Sequence, residues 1–532
     1  MIMVINLNKY LTMNKCIIFG FILTLLGVGL ISCSDREEEV TEYNLDRVLT
    51  PFDIKYSLDD IVGLTLTWKD LEEADGYIVE LYTDSLQFLE ENLLVMDEVL
   101  TNKFEYILMG NTQYSARIKS VSTSNNDSKW NGIAFKTSFK SVFLPFEKGD
   151  ITETSLRFRF PKGTYATLVE LKSGSSEISR EITDEEINTG ILEFTDLLSN
   201  VTYTAILYDG DKIIGEVTAT TIMDGAIEIK PSDDWKALLE SAKEGDAFLF
   251  DEGIYLLDEG EEVVTISTSI TIMGKIAAEP TIQAQFEIDN LDGANSPSIV
   301  FKHVKLEGKD QAIDYAIRLI AKNGNYGDIV LESAEISNYN KAFIASSTDN
   351  TSSVKINSIN IEDCIVSNIK TDGAEAIDIR YGYLVLLTIN NSTFNNVAPG
   401  RAFIRLDDAS SNYPGMNSVV EVKNSTFYKV NNTVTSKGFF YVRFKTNTLL
   451  FKNNLMVQSE GIFSKESKTS DIICENNNYF NAPNYLDGGA ITGAKIDTAS
   501  PMMEDPEFED PDNGDFTIGN GTLKVGDPRW YN

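Results

Sequence analysis

Histidine is nearly missing from this chain: 532 residues hold one, His303. That removes zinc sites built on several histidines and leaves a Ser-His-Asp triad a single residue to stand on. Cysteine is scarce as well, with four in all. Cys364 and Cys474 lie 110 residues apart, each inside an apolar repeat. They make no disulfide framework and no metal set, and both read as small packed residues. Positive charge is short: 45 Lys and Arg stand against 81 Asp and Glu, a net −36. Nucleic acid is therefore excluded as a partner, because phosphate binding needs a basic face. Long apolar runs are missing beyond residue 31. What is present is a 42% hydrophobic fraction with 35 Gly, 22 Tyr and 28 Phe, in many short apolar runs. That composition rules out wholesale disorder and indicates a mostly β chain of two to four domains.

The one long run is N-terminal. Residues 16–31 are apolar except Thr24 and end in Leu30-Ile31-Ser32-Cys33. The run is short for a membrane span and right for a signal-peptide core, although an N-terminal membrane helix is the alternative. A small residue directly before Cys33 resembles the bacterial lipobox. The resemblance implies a signal peptide over 1–32, lipid on the Cys33 thiol and an anchored protein. Met1 and Met13 both remain open as the start. Residues 33–46 form an acidic linker, Ser34-Asp35-Arg36-Glu37-Glu38-Glu39 at its head. Such a patch resembles the surface-export signal of Gram-negative lipoproteins, which implies an outer-membrane lipoprotein facing the cell exterior.

Residues 47–222 repeat with a period of about 90 residues. Leu64-Thr-Leu-Thr-Trp68 matches Leu156-Arg-Phe-Arg-Phe160, and Tyr77-Ile-Val-Glu-Leu81 matches Thr167-Leu-Val-Glu-Leu171. Each segment alternates apolar and polar, as a half-buried strand requires. In both copies a Leu precedes by six residues a Tyr that opens a strand: Leu108 and Tyr114, Leu197 and Tyr203. The spacing resembles the fibronectin type III turn, and it implies two β-sandwiches, at 47–138 and 140–222. Such modules serve as spacers or binding modules, and spacer is the reading adopted.

Residues 226–532 open with an apolar helical pattern at Trp235, Leu238, Leu239 and Ala242. This predicts a helix over 232–245, capped by Ser232 or Asp233 and stopped by Gly245. Then come Gly245-Asp-Ala-Phe-Leu-Phe250 and Glu252-Gly-Ile-Tyr255. This opening resembles the capping segment of pectate-lyase-like right-handed parallel β-helices. A repeat follows, with polar corners at His303, Ser333, Asp363, Asn391, Asn424, Asn453 and Asn476, spaced 23 to 33 residues apart. A period in that range, built of short strands, means a solenoid. The asparagines and Asp363 are expected to form a ladder, with His303 at its first corner. The expected fold is thus all-β: two sandwiches, then a β-helix.

A second strand after each corner often ends in arginine. Arg380, Arg405 and Arg443 come from consecutive coils and are expected to stack into one outward column, roughly 5–10 Å apart. Lys437, Lys445, Arg401, Asp378, Asp407 and Asp408 are close in sequence. From Ile299 to Phe480 there are 19 acidic and 19 basic residues, so the rest of the chain carries all of the −36. The coils can therefore meet an acidic glycan. The β-helix resemblance implies three uses. The favoured one is a polysaccharide-binding surface protein. The alternative is a lyase that cleaves a polyuronate by β-elimination. For it, Arg380, Arg405, Arg443, Lys437 or Lys445 would neutralise carboxylates or act as base, and Asp378, Asp407 and Asp408 are candidates to hold Ca²⁺. The third is a structural or adhesive protein whose arginines pair with acidic residues of adjacent coils.

Residues 499–532, with Asp505-Pro-Glu-Phe508, Gly514-Asp-Phe516 and Gly526-Asp-Pro-Arg-Trp530, resemble the tail of β-helix lipoproteins from Gram-negative polysaccharide-utilisation systems, many of them known only as domains of unknown function. Phe516, Ile518, Leu523 and Trp530 are expected to close the last coil as a cap over 500–532.

Overall fold

The computed structural model describes residues 47–531, apart from 60–61, 138–139, 175, 291–295, 347–352 and 434–437. The signal peptide, Cys33, the acidic linker and Lys437 lie outside the described residues. Among those described, no helix is long and apolar enough to cross a membrane.

The first sandwich packs two antiparallel sheets. Lys55–Asp59, Gly63–Thr67 and Lys103–Ile107 form one; Leu93–Val99, Gly76–Tyr82, Gln113–Val121 and Asn131–Lys136 form the other, in that order. Period-two alternation puts Leu64, Leu66, Val79, Leu81, Ala116 and Ile118 inward, and they meet between the sheets beside Trp68. The second copy repeats the four-stranded sheet with Ser176–Glu181, Leu168–Ser173, Thr202–Asp209 and Lys212–Thr220. Its facing sheet is reduced to Leu156–Arg159 and Ile191–Phe194, with isolated bridges from Leu144 to Arg159 and from Ile151 to Leu156. Phe160 fills the place of Trp68 and is equally buried. The expected tyrosine turns are present in both copies. The Tyr114 hydroxyl accepts from Met109 N at 2.9 Å and the Tyr203 hydroxyl from Leu198 N at 3.0 Å. Leu108 and Leu197 are buried beside them.

From Ile227 the chain winds into a parallel solenoid of three sheets with ten, nine and seven strands. Each middle coil runs through sheet one, turns at a polar corner into sheet two, then crosses to sheet three. One such coil is Ser353–Glu362, Ile365–Ile369 and Ile377–Ile379. The coils are in register, so inward side chains stack into columns such as Ile361, Ile389, Val422 and Phe451. Phe394, Phe403, Phe427, Phe439 and Phe451 run up the interior as a chain of ring contacts between 4.7 and 5.9 Å. Buried aromatic pairs of this kind add to the area they remove from water.

All seven corner residues adopt a left-handed backbone, with φ between 46° and 55°. Asn, Asp and His tolerate that region better than most residues. The expected ladder forms in part. Asn476 donates to Asn453 (2.8 Å), Asn453 to Asn424 (3.1 Å), and Asn424 to Asn390 (2.9 Å) rather than to Asn391. Asn391 donates instead to Glu362. A second, buried ladder lies one residue on. The backbone N–H groups of Cys364, Ser392, Ser425 and Asn454 each donate to the side chain one coil above, at Ser392, Ser425, Asn454 and Asn477. Cys364 is fully buried, and burial pushes its thiol up to about 12; Cys474 is raised likewise, so neither is a reactive thiolate at neutral pH.

Both ends depart from expectation. The N-terminal helix is Trp235–Glu240, shorter than 232–245, and its cap is Asp234, whose Oδ1 accepts from Ala237 N at 3.1 Å. Asp233 is already accepting from Lys230 N, so the cap moves one residue on. Trp235 still plugs the open coil, edge-on to Phe250 and Tyr255. At the other end the plug is Tyr485, on the short helix Asn484–Asp487, edge-on to Phe463 at 4.9 Å. Phe516, Ile518, Leu523 and Trp530 do not close that end. They lie along the outer face of sheet two, against Tyr428, Leu455 and Val457. Those outward side chains are apolar and need cover, whereas the coil end is already sealed.

Candidate functional site

The three arginines do not stack on one another. Strand register pairs Asp378 with Arg405 and Arg405 with Tyr441 on successive coils of sheet three. Two residues along each strand, on the same outward face, come Arg380, Asp407 and Arg443. The result is a grid: Asp378 and Arg380, then Arg405 and Asp407, then Tyr441 and Arg443. The signs alternate both along each of the first two strands and from coil to coil. Spacing alone suggested a pure arginine column because it missed the shift of two residues between Arg405 and its neighbours above and below.

Every arginine of the grid has a carboxylate. Arg380 donates from Nε to Asp378 at 2.8 Å. Arg405 donates to Asp407 at 3.1 and 2.7 Å and lies 3.9 Å from Asp378. Arg443 is 3.5 Å from Asp407. Beneath them lies Glu375, which no sequence pattern singled out. Its side chain is fully buried and meets Arg380 (3.2 Å), Arg405 (3.3 Å) and Arg401 (3.7 Å). Tyr441 offers its ring face to Arg405 and Arg443, each 5.6 Å from the centroid.

The electrostatics follow from this packing. Hydrogen bonding to Asp378 raises the pKa of Arg380. Burial works against the charge on Arg405, but Asp407, Glu375 and Asp378 outweigh it and raise its pKa as well. Burial, aided by the neighbouring Glu375, pushes the Asp378 carboxyl above its usual range despite its arginines. Asp408 points elsewhere. Partial burial would raise it, yet Lys468 and Ser410 hold it down at about 2.

These contacts test the expected chemistry. Arg380 and Arg405 are held as cations, so neither is placed to accept a proton. The Ca²⁺ expectation does not fit. Asp378 and Asp407 are taken up by guanidiniums that occupy the positions a cation would need, and Asp408 by Lys468. Among the described residues no cluster of three or more acidic, His or Cys side chains is arranged for a metal. The solvent-facing margin of the grid is Arg443 and Arg401, whose side chains are 35% and 36% exposed, with half-buried Tyr441; Lys445, two residues beyond Arg443, is exposed.

Two family models match within the solenoid region. Both are described as a domain of unknown function: DUF4957 over residues 253–397 and DUF5123 over residues 420–530. No curated protein matches the chain. Solved structures similar to it include a two-domain fibronectin type III segment of chicken tenascin. It is 16% identical, covers 32% of this chain and 98% of that one, and has a TM-score of 0.24. A chicken CNTN1 segment with domains FN1 to FN3 is 13% identical and covers 33% of this chain and 66% of that one, with a TM-score of 0.15. The tyrosine turns and the strand order described above establish the fibronectin-like sandwiches independently.

Proposed function

We propose that the protein is an outer-membrane lipoprotein, anchored through Cys33 and facing the exterior, whose solenoid binds an acidic, uronate-containing polysaccharide without cleaving it. The supporting observation is the exposed margin of the charge grid. Among the described residues Arg443 has one carboxylate contact, at 3.5 Å; it lies beside Tyr441, Arg401 reaches the same grid through Glu375, and exposed Lys445 follows two residues on. Guanidiniums recognise carboxylates by paired hydrogen bonds, and an aromatic face stacks on a sugar ring. The interior of the grid fixes this margin in place. β-Elimination would need an unpaired base near a carboxylate-neutralising group, and Arg380 and Arg405 are both committed. The fibronectin-like sandwiches then act as spacers that lift the solenoid from the membrane, within a polysaccharide-utilisation system.

Affinity gel electrophoresis with polygalacturonate, alginate and a neutral glucan tests this reading. Retardation by a polyuronate but not by the glucan is expected. It is expected to vanish in the triple variant Arg401→Ala, Arg443→Ala, Lys445→Ala with melting unchanged. An unsaturated product absorbing in the ultraviolet would replace binding by lyase action. A second reading rests on the complete pairing of Arg380 and Arg405: a structural or adhesive surface protein, for which the triple variant changes no glycan retention.

A further inference from the structure

The second sandwich and the first coils of the solenoid enclose a cleft of about 360 Å³, lined by Ile151 and Ile222 on one side and Leu249, Met273 and Ile276 on the other. That volume lies at the lower end of the range for small-molecule sites, roughly 300–1,000 Å³. The apolar walls have a clear origin. Leu249 and Met273 are outward residues of sheet one, alternating with inward Phe248 and Ile272, and the connecting segment at Ile222, Met223 and Ala226 packs against them, which leaves them as the floor of the cleft.

Charge narrows the choice of occupant. Three lysines reach the rim, and each is neutralised where it stands. Lys148 pairs with Asp251 at 3.0 Å, Lys275 with Glu228 at 3.3 Å and Lys302 with Glu332 at 2.9 Å. Among the described residues an anionic ligand would find no spare countercharge there, and the one carboxylate that lines the cleft outside an ion pair, Glu153, is exposed at the rim, where solvent screens it. His303 also lines the cleft. It has the left-handed backbone of the corner column, but among the described residues no hydrogen bond or ion pair reaches its imidazole. The ladder begins later in the column, where Ser333 bonds to Asp363. Burial, with Lys302 adding to it, lowers the pKa of His303. The ring is thus neutral at pH 7 and offers one donor and one acceptor nitrogen.

We propose that this cleft binds a small uncharged ligand with an apolar ring body and one hydrogen-bonding group, the body lying between Leu249, Met273 and Ile151, Ile222 and the polar group on the His303 imidazole. The site is separate from the charge grid and does not depend on glycan binding.

The neutral fluorophore N-phenyl-1-naphthylamine, one amine on an apolar ring system, is the probe. Titrated into the mature chain it is expected to bind saturably, one per chain, with a blue-shifted emission. Thr220→Trp, a strand residue on the cleft wall, fills the space and is expected to weaken binding tenfold or more. His303→Asn places at this corner the residue that later corners carry, so the backbone is kept while the imidazole is lost; binding is expected to fall about fivefold. Met96→Asp, on the exposed edge strand of the first sandwich, is expected to change nothing. Absence of saturable binding overturns the proposal. So does wild-type affinity in folded Thr220→Trp and His303→Asn, or loss of binding in Met96→Asp, which would place the probe on that edge instead.

Discussion

Sheets two and three are built by the same coils, yet their outer faces have opposite characters. Sheet two turns Tyr428, Leu455 and Val457 outward and hides them under the C-terminal tail. Sheet three turns Asp378, Arg380, Arg405, Asp407, Tyr441 and Arg443 outward, where the charged groups bury one another in ion pairs and Arg443 is left partly exposed at the margin. Inside the solenoid the two sheets are equivalent, since both supply apolar columns to one core. The difference shows that a solenoid coil fixes only its inward residues. Its outward residues are free to demand cover or to offer a surface, and here one face does each.

The sharpest way to break that contrast is to uncover sheet two. Deleting residues 500–532 exposes its apolar face and is expected to abolish soluble folded protein, or to leave a species that binds a hydrophobic dye strongly. The milder Phe516→Ala removes one buried ring and is expected to cost about 3–5 kcal/mol in chemical denaturation. Breaking the charged face has a similar ceiling but a different signature. Asp407→Ala leaves Arg405 and Arg443 without their shared carboxylate and is expected to cost about 3 kcal/mol. Replacing the pair together, Arg405→Leu with Asp407→Leu, is expected to recover most of that loss, which no repair of the Phe516 cavity by charge could do. At the corners, Asn453→Ala removes two ladder bonds and strains a left-handed residue, for about 1–2 kcal/mol; Asn453→Gly keeps the backbone and costs less.

The smallest effect is on pH. Because the folded carboxyl of Asp408 is held at about 2, below the ordinary carboxylate value near 3.9, it contributes stability above pH 4. That contribution is lost as pH falls toward 2. The Lys468 partner is exposed enough for solvent to screen the pair, so the contribution is expected to be under about 1 kcal/mol. A denaturation series from pH 5 to 2 in Asp408→Asn should show a flatter acid limb than the parent.

The core of this fold was legible because it repeats. The corners His303 to Asn476 and the inward apolar columns recur at a regular interval, and register follows once the corners align. The two tyrosine turns were legible because a Leu and a Tyr at fixed spacing have one geometric use. The charge grid was not. Its arginines sit at the ends of similar strands, and whether Arg405 stacks on Arg380 or on Asp378 depends on a two-residue register that loops of different length conceal. Glu375 was invisible for a related reason, since a buried carboxylate is defined by the cations that fold over it and not by its neighbours in sequence. The tail was read as an end cap because solenoids need one, but Tyr485 had already met that need.

The path of the tail has a mechanical consequence. Met502 and Glu504 bond at Asn477 and Asn478, Gly526 at Asn453, Asp527 at Thr426 and Thr393, and Arg529 at Asp363. The chain therefore runs back down the outside, stitching coils that otherwise touch only their neighbours. A stack pulled along its axis would peel one coil at a time. With this brace the last coils must let go together, so tension applied at the far end is shared among them rather than borne by the outermost turn.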